Sequence, residues 1–353
     1  MNRTDRLKQS AEKQGKECDF LIFNQTNITY FSEFSGASAL LIPAQGENTL
    51  YVSGVNYEQA KTEAKGATVE LLKSGESLME KIVKHASTNK FAVDTLPIEN
   101  WRVLAKAIDG EENLQLASGI IRELRAIKDQ QEIQLIREAC RLANIGMEVA
   151  SEAIRPGVAE KTVLAEVECA MRKAGSDGVG FRTIVASGAY SAFPHGCSKE
   201  KTINGGDLVV VDLGATYKFY RSDITRTFTA GKPSEKQKKI YDTVKLAHQK
   251  AFETIKTAVQ AKDVDLAARQ VIEEAGFGAF FVHNLGHGVG LEVHEAPILS
   301  PESKDVLDVG NVVTDEPGIY VPSFGGVRIE DTLVVTKDNA EKLTIAPYTL
   351  ERV

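Results

Sequence analysis

Asp212 and Asp223 stand on the two arms of VVVDLGATYKFYRSDITRTF, residues 209–228, a stretch that reads as a β-hairpin. With Tyr217 and Lys218 as its turn, antiparallel pairing sets Asp212 opposite Asp223. Directly opposed cross-strand residues hold their Cβ atoms about 4.5–5.5 Å apart, and two carboxylates at that separation repel unless something positive lies between them. Downstream come His287 in HNLGHGVGLEVHE, then Glu316 and Glu330 in TDEPGIYVPSFGGVRIED. Four carboxylates and one imidazole are too many for a structural zinc and suit two hydrolytic divalent cations that share bridging carboxylates. Asp212 ends an apolar run with Val210 and Leu208 on its own strand face, so the competing reading is a buried ion pair with Arg221 or Arg226. The matched pair of aspartates favours metal.

Histidines add to the constellation. Three of the six in the chain, His283, His287 and His294, fall within one glycine-rich segment, where glycines let backbone crowd a ligand or ion. His195, in FRTIVASGAYSAFPHG, is a fourth imidazole beside a turn. Glu316 precedes Pro317, which biases its backbone away from helix. In VRIED, strand alternation puts Arg328 on the face of Glu330, where it could orient that carboxylate.

Two regions must carry these groups. Residues 1–118 alternate short β-like runs (LIF at 21–23, ITYF at 28–31, ALLI at 39–42, LYV at 50–52, VELL at 69–72, FAV at 91–93) with polar, helix-compatible stretches, an α/β pattern. His85 is the sole histidine there, and this part reads as a binding or shaping domain. A boundary falls near 117–132, and a second domain spans 127–353. From Ile133 to Ile154 apolar residues step by three and four along one helix face, closed by Pro156 and Gly157. Further helices are expected at 162–173, about 234–258 and 264–274, with strands and glycine-rich loops between them and a strand-rich end.

Whole-chain properties narrow the class. At 353 residues two domains are expected, and 42% hydrophobic with 26% charged residues is ordinary for a globular protein. A net charge of -7 without basic runs argues against nucleic acid or anionic membrane as a partner. The polar N-terminus has no apolar segment of the signal type, so the cytoplasm is the expected location. Cys18, Cys140, Cys169 and Cys197 are scattered and read as free thiols.

Taken together, VDLG, SDITRT, HNLGHGVGLEVHE, EPGIY and GGVRIED resemble the creatinase/aminopeptidase-P/prolidase metallopeptidases over about 120–353, and more loosely before that. The resemblance implies an α+β architecture: a catalytic domain of the pita-bread fold after a smaller α/β domain. It implies Asp212, Asp223, His287, Glu316 and Glu330 as ligands of two divalent metals, with manganese favoured over cobalt, zinc or iron. It implies His195 and His294 on the substrate side with Glu316 as proton acceptor, His283 as a further active-site histidine, and hydrolysis of an N-terminal Xaa-Pro bond by a homodimer. Ile298 stands where many relatives carry an arginine suited to a dipeptide's carboxylate, so Arg328 or an N-terminal residue would bind that group, or longer peptides are trimmed. Asp315 replaces a usually apolar residue, and Leu285 a threonine of some members. The rivals are a methionine aminopeptidase, a metal-free creatinase-like hydrolase and a catalytically silent interaction module.

Overall fold

A computed structural model of the protein describes residues 2–351, and the chain divides into two units, Met1–Arg125 and Ala126–Val353. In the first, strands β1 (Asp19–Ile22), β2 (Ala39–Ile42), β3 (Thr49–Ser53), β4 (Thr68–Leu72), β5 (Phe91–Val93) and β6 (Leu114–Leu116) form one mixed sheet in the order β4-β3-β2-β1-β5-β6. Helices α1 (Arg3–Lys13), α2 (Gln25–Ser32), α3 (Tyr57–Glu63), α4 (Leu78–His85), α5 (Ile98–Ala107) and α6 (Ser118–Ala126) connect and follow the strands. Five of the apolar runs are strands. The sixth, ITYF, lies in α2, because Asn24 caps the backbone N–H groups of Thr26 and Asn27 and starts a helix there. His85 packs in this unit, its Nδ1 2.9 Å from the Tyr51 hydroxyl.

The second unit opens with α7 (Gln130–Ala153), started by a reciprocal capping box between Asp129 and Glu132. Its buried face, Ile133, Ile136, Cys140, Ala143, Met147 and Ala150, is the stripe expected from sequence. Helix α8 (Glu160–Lys173) crosses it closely at Gly146, where a Cβ would sit 2.9 Å from Met171 Cγ. The strands β7 (Gly178–Val179), β8 (Ile184–Ser187), β9 (Leu208–Leu213), β10 (Ala215–Tyr217), β11 (Tyr220–Arg221) and β12 (Ile224–Thr229) follow. Helices α9 (Glu235–Thr254) and α10 (Ala261–Glu274) come next, the first ending short of the expected bound and the second starting before it. The remainder is β13 (Gly286–Gly288), β14 (Glu295–Leu299), β15 (Val312–Asp315), β16 (Gly318–Val321), β17 (Gly325–Arg328), β18 (Asp331–Val335) and β19 (Ala340–Lys342). The sheets run β11-β10-β7, β12-β9-β8, β14-β13-β15-β18-β19 and β16-β17. One apolar core joins α7 and α8 to residues of β8, β9 and β12. The other joins α9 and α10 to residues of β14–β19 and the loops around them. Burial of both cores is the main force that holds the strand ends in place.

The hairpin register differs from expectation. Tyr217 pairs with Tyr220, so the turn is Lys218-Phe219, with φ of 45° and 74°. Two consecutive left-handed residues make the tight turn whose twist suits a hairpin, and here they are not glycines. Moving the turn by one residue moves each partner by two, so Asp212 pairs with Thr225 rather than Asp223. The shift is even, which keeps both aspartates on one face, as diagonal neighbours. Among the described residues no helix is long and apolar enough to cross a membrane, and all four cysteines are free.

Candidate metal centre

Every candidate side chain reaches one cavity of about 400 Å³: Asp212, Asp223, His287, Glu316 and Glu330, with His195, His283, His294 and Arg328. Asp212 comes from the end of β9 and Asp223 from the residue before β12. His287 lies in β13 where a bulge shifts the register, and Gly286 before it has no room for a side chain, since a Cβ would lie 2.2 Å from Thr314 O. Glu316 follows β15 and Glu330 precedes β18; the backbone of Glu330 bridges to Thr225 and that of Glu316 bonds to Leu285.

Donor chemistry at the centre fits a divalent cation. Ligand atoms of Asp223, His287 and Glu330 lie within 4.8 Å of one another. His287 Nδ1 lies 3.1 Å from Gly288 O, a carbonyl that can only accept, so this nitrogen carries the hydrogen and Nε2 is left for a cation. That Nε2 sits 3.2 Å from Glu316 Oε1 and 3.8 Å from Asp223 Oδ2. Burial, then the charges of Glu330, Asp212 and Glu316, push the Asp223 carboxyl well above its usual range. Burial, then Glu316 and Asp212, do the same to Glu330. Burial also raises Asp212, against the pull of Arg328, and its buried Oδ1 has no hydrogen-bond partner. Buried acids that repel one another, with an orphaned oxygen among them, are the electrostatic signature of a site built for positive charge. Glu316 is the exception: burial raises it, but the hydrogen bond and charge of His287 bring it down to about 2.

Arg328 does not lie against Glu330 as alternation suggests. Its Nη2 donates to Asp212 Oδ2 at 2.6 Å, its Nη1 to Tyr320 Oη at 2.8 Å and Pro194 O at 3.3 Å, and its Nε to Thr225 Oγ1 at 3.1 Å. Thr225 in turn donates to Glu330 Oε2 at 2.6 Å, so Arg328 reaches Glu330 through one hydroxyl. The partner of Asp212 is therefore Arg328, not Arg221 or Arg226. Arg221 donates to Gly180 O, and Arg226 pairs with Asp331 at 2.8 Å with both groups buried. Sequence reasoning passed over Thr225 and Tyr320. Thr225 lies two residues after Asp223 and so on its face, a signal that was present; Tyr320, whose hydroxyl is 2.9 Å from His283 Nε2, had none. Asp315 does not line the cavity. It faces the other way, with Oδ2 3.8 Å from His248 Nε2 of α9.

Fold and centre together define a hydrolase-type framework built for divalent metal, with a separate α/β unit before it. The family model "Metallopeptidase family M24" matches residues 134–337, and "Creatinase/Prolidase N-terminal domain" matches 3–127. The chain belongs to the M24 metallopeptidase family, a family of divalent-metal enzymes, and its catalytic unit has the pita-bread fold. It is 41% identical to Xaa-Pro dipeptidase of Pyrococcus furiosus over 96% of this chain and 98% of that protein. Among solved structures it resembles the prolidase of Pyrococcus horikoshii OT3 (40% identity, TM-score 0.92, 99% of each chain). It also resembles an X-Pro aminopeptidase of Thermotoga maritima (34% identity, TM-score 0.91, all of each chain).

Proposed function

We propose that the protein hydrolyses the bond between an N-terminal residue and a following proline in dipeptides or short peptides. The observation that carries this is the convergence of four carboxylates and His287 on a cavity that His195, His283 and His294 also line. The names of its relatives support the same substrate class, and the match to a prolidase-type N-terminal domain speaks against a methionine aminopeptidase.

Asp212, Asp223, His287, Glu316 and Glu330 would hold two divalent ions, manganese being favoured among those that carboxylate-rich sites accept. Bound there, such ions would lower the pKa of a water enough for it to act as nucleophile near neutral pH. Glu316 would take the proton of the attacking water. Burial and the neighbouring His287 hold His294 below its usual pKa, so it stays neutral and its N–H can donate to the substrate carbonyl as charge builds there. His195 borders the same space. The substrate α-amine sits among the carboxylates, which confines cleavage to the N-terminus.

His283 Nδ1 lies 2.8 Å from Asn284 O, so it carries the hydrogen and Nε2 accepts from Tyr320. His283 and Arg328 thus form one linked wall for the substrate. Ile298, Phe181, Ile184 and Val293 make the apolar part of the lining, and Arg328 already gives its donors to Asp212, Tyr320, Pro194 and Thr225. These walls suit peptides that continue past the proline as well as dipeptides. We further read the chain as a cytoplasmic homodimer, a state common in the family and testable by sedimentation. Incubating manganese-loaded protein with Ala-Pro, Ala-Pro-Ala and Met-Ala-Ser tests the assignment. Release of alanine is expected, and cleavage of Met-Ala-Ser alone would overturn it.

A further inference from the structure

The ring of His294 packs edge-on against His287, with centroids 4.3 Å apart, and among the described residues no hydrogen bond holds either of its nitrogens. Its aim is therefore set by its backbone. The next residue, Glu295, opens β14 and pairs across the sheet with Gly288, beside His287. The Glu295 carboxylate is turned inward: Oε1 lies 2.6 Å from Lys128 Nζ, with the two side chains 8% and 1% exposed. It also fills the inside of the loop that leads to His294. Oε2 accepts from Glu292 N at 3.4 Å, and a Cβ on Gly290 would meet Oε1 at 2.4 Å. Lys128 is itself fixed from both sides. Its N–H donates to Gly310 O at 2.9 Å, Asn311 Nδ2 donates to Ala126 O at 2.9 Å, and Gly310, at φ 90°, admits no side chain against Lys128 O.

A buried ion pair of this kind contributes little net stability over an apolar pair of the same volume, because desolvation offsets the attraction. Its distinctive effect is directional. From this geometry we propose that Lys128 and Glu295 are a positioning pair for His294, holding the 290–295 loop so that the imidazole faces the reacting carbonyl. This rests on the peptidase reading above. Neither residue lines the cavity.

The test measures Ala-Pro-Ala hydrolysis by the full-length, manganese-loaded protein carrying Lys128→Met, Glu295→Gln or His294→Ala, and the corresponding doubles. Removing a group that orients a functional side chain lowers kcat by about 10–100-fold, here with KM and calorimetric manganese affinity close to wild type. In the His294→Ala background, Lys128→Met costs little further, because its effect passes through His294. If Lys128→Met fails to fold by circular dichroism, Glu295→Gln, which keeps the volume and an acceptor oxygen, decides the matter. An unchanged kcat, a fully additive loss in the double variant, or a parallel fall in manganese affinity overturns the pair's role while wild-type activity upholds the peptidase reading. A wild type that cleaves none of the peptides overturns the peptidase reading and the pair's role with it.

Discussion

Asp223 is 4% exposed and shares its space with Glu330, Asp212 and Glu316, whose charges all oppose its ionisation. Asp223→Asn keeps the volume, removes one of the opposed charges and weakens the ligand. Turnover is expected to vanish, bound metal to fall by elemental analysis, and the melting temperature of chelator-treated protein to rise above that of wild type. Normal activity would take Asp223 out of the ligand set. Loss of stability in place of a gain would show that the acidic cluster is not strained without its ions. His294 has the complementary profile, since it adds no charge and makes no hydrogen bond among the described residues. His294→Ala should lower kcat by about 10²–10³-fold, the usual effect of losing one donor to a developing oxyanion. Manganese affinity, read by calorimetry, should stay near wild type. A loss of metal with no loss of rate per loaded site would place His294 among the ligands instead.

Strand β12 serves the centre from both faces. Thr225 points toward Glu330, while Arg226, its neighbour on the other face, donates to Glu330 O, Ala346 O and Asp331 Oδ1. Arg226→Met leaves Asp331 buried beside Asp315 without its main partner. Breaking one half of a buried pair costs about 3–5 kcal/mol, and urea denaturation should read a loss of that order; a loss under about 1 kcal/mol, the range of an exposed pair, would sink this account. The same strand shows how far sequence reaches. The amphipathic stripe of α7 and most strands of the first unit were legible because burial repeats at the helical or strand period. So was the order of ligand-type residues, because Asp212, His287 and Glu316 each have a glycine or proline within two positions. The hairpin register was not, since the left-handed Lys218-Phe219 turn has no glycine to announce it. ITYF has strand-like composition, but the Asn24 cap decided for helix. Arg328 to Asp212 and Arg226 to Asp331 join residues 116 and 105 positions apart, and periodicity says nothing about such pairings.

Across the molecule, stability and metal loading are tied through buried acid. Asp223 and Glu330 both have carboxyl pKa values raised well above the usual 3.8 and 4.5. A group raised on folding holds its proton more tightly in the native state, so its favourable contribution is complete below the unfolded value and disappears as pH climbs through the native one. Metal-free protein should therefore lose stability as pH rises from about 4, and added manganese should raise the melting temperature more at high pH than at low. Asp315 separates this linkage from a second one that metal cannot relieve. It is fully buried, both its oxygens lack hydrogen bonds, and burial followed by the charge of Asp331 raises it well above 3.8. Because it faces His248 rather than the cavity, its penalty persists in the loaded enzyme. Asp315→Asn removes that charge. The loaded variant should keep its activity, gain stability at pH 8, where the wild type must take up a proton on folding or bury a bare charge, and gain little at pH 4. Calorimetric unfolding at the two values checks this: an equal effect at both would mean that folding does not raise the Asp315 pKa, and a loss at pH 8 would mean that its carboxylate has a partner in solution.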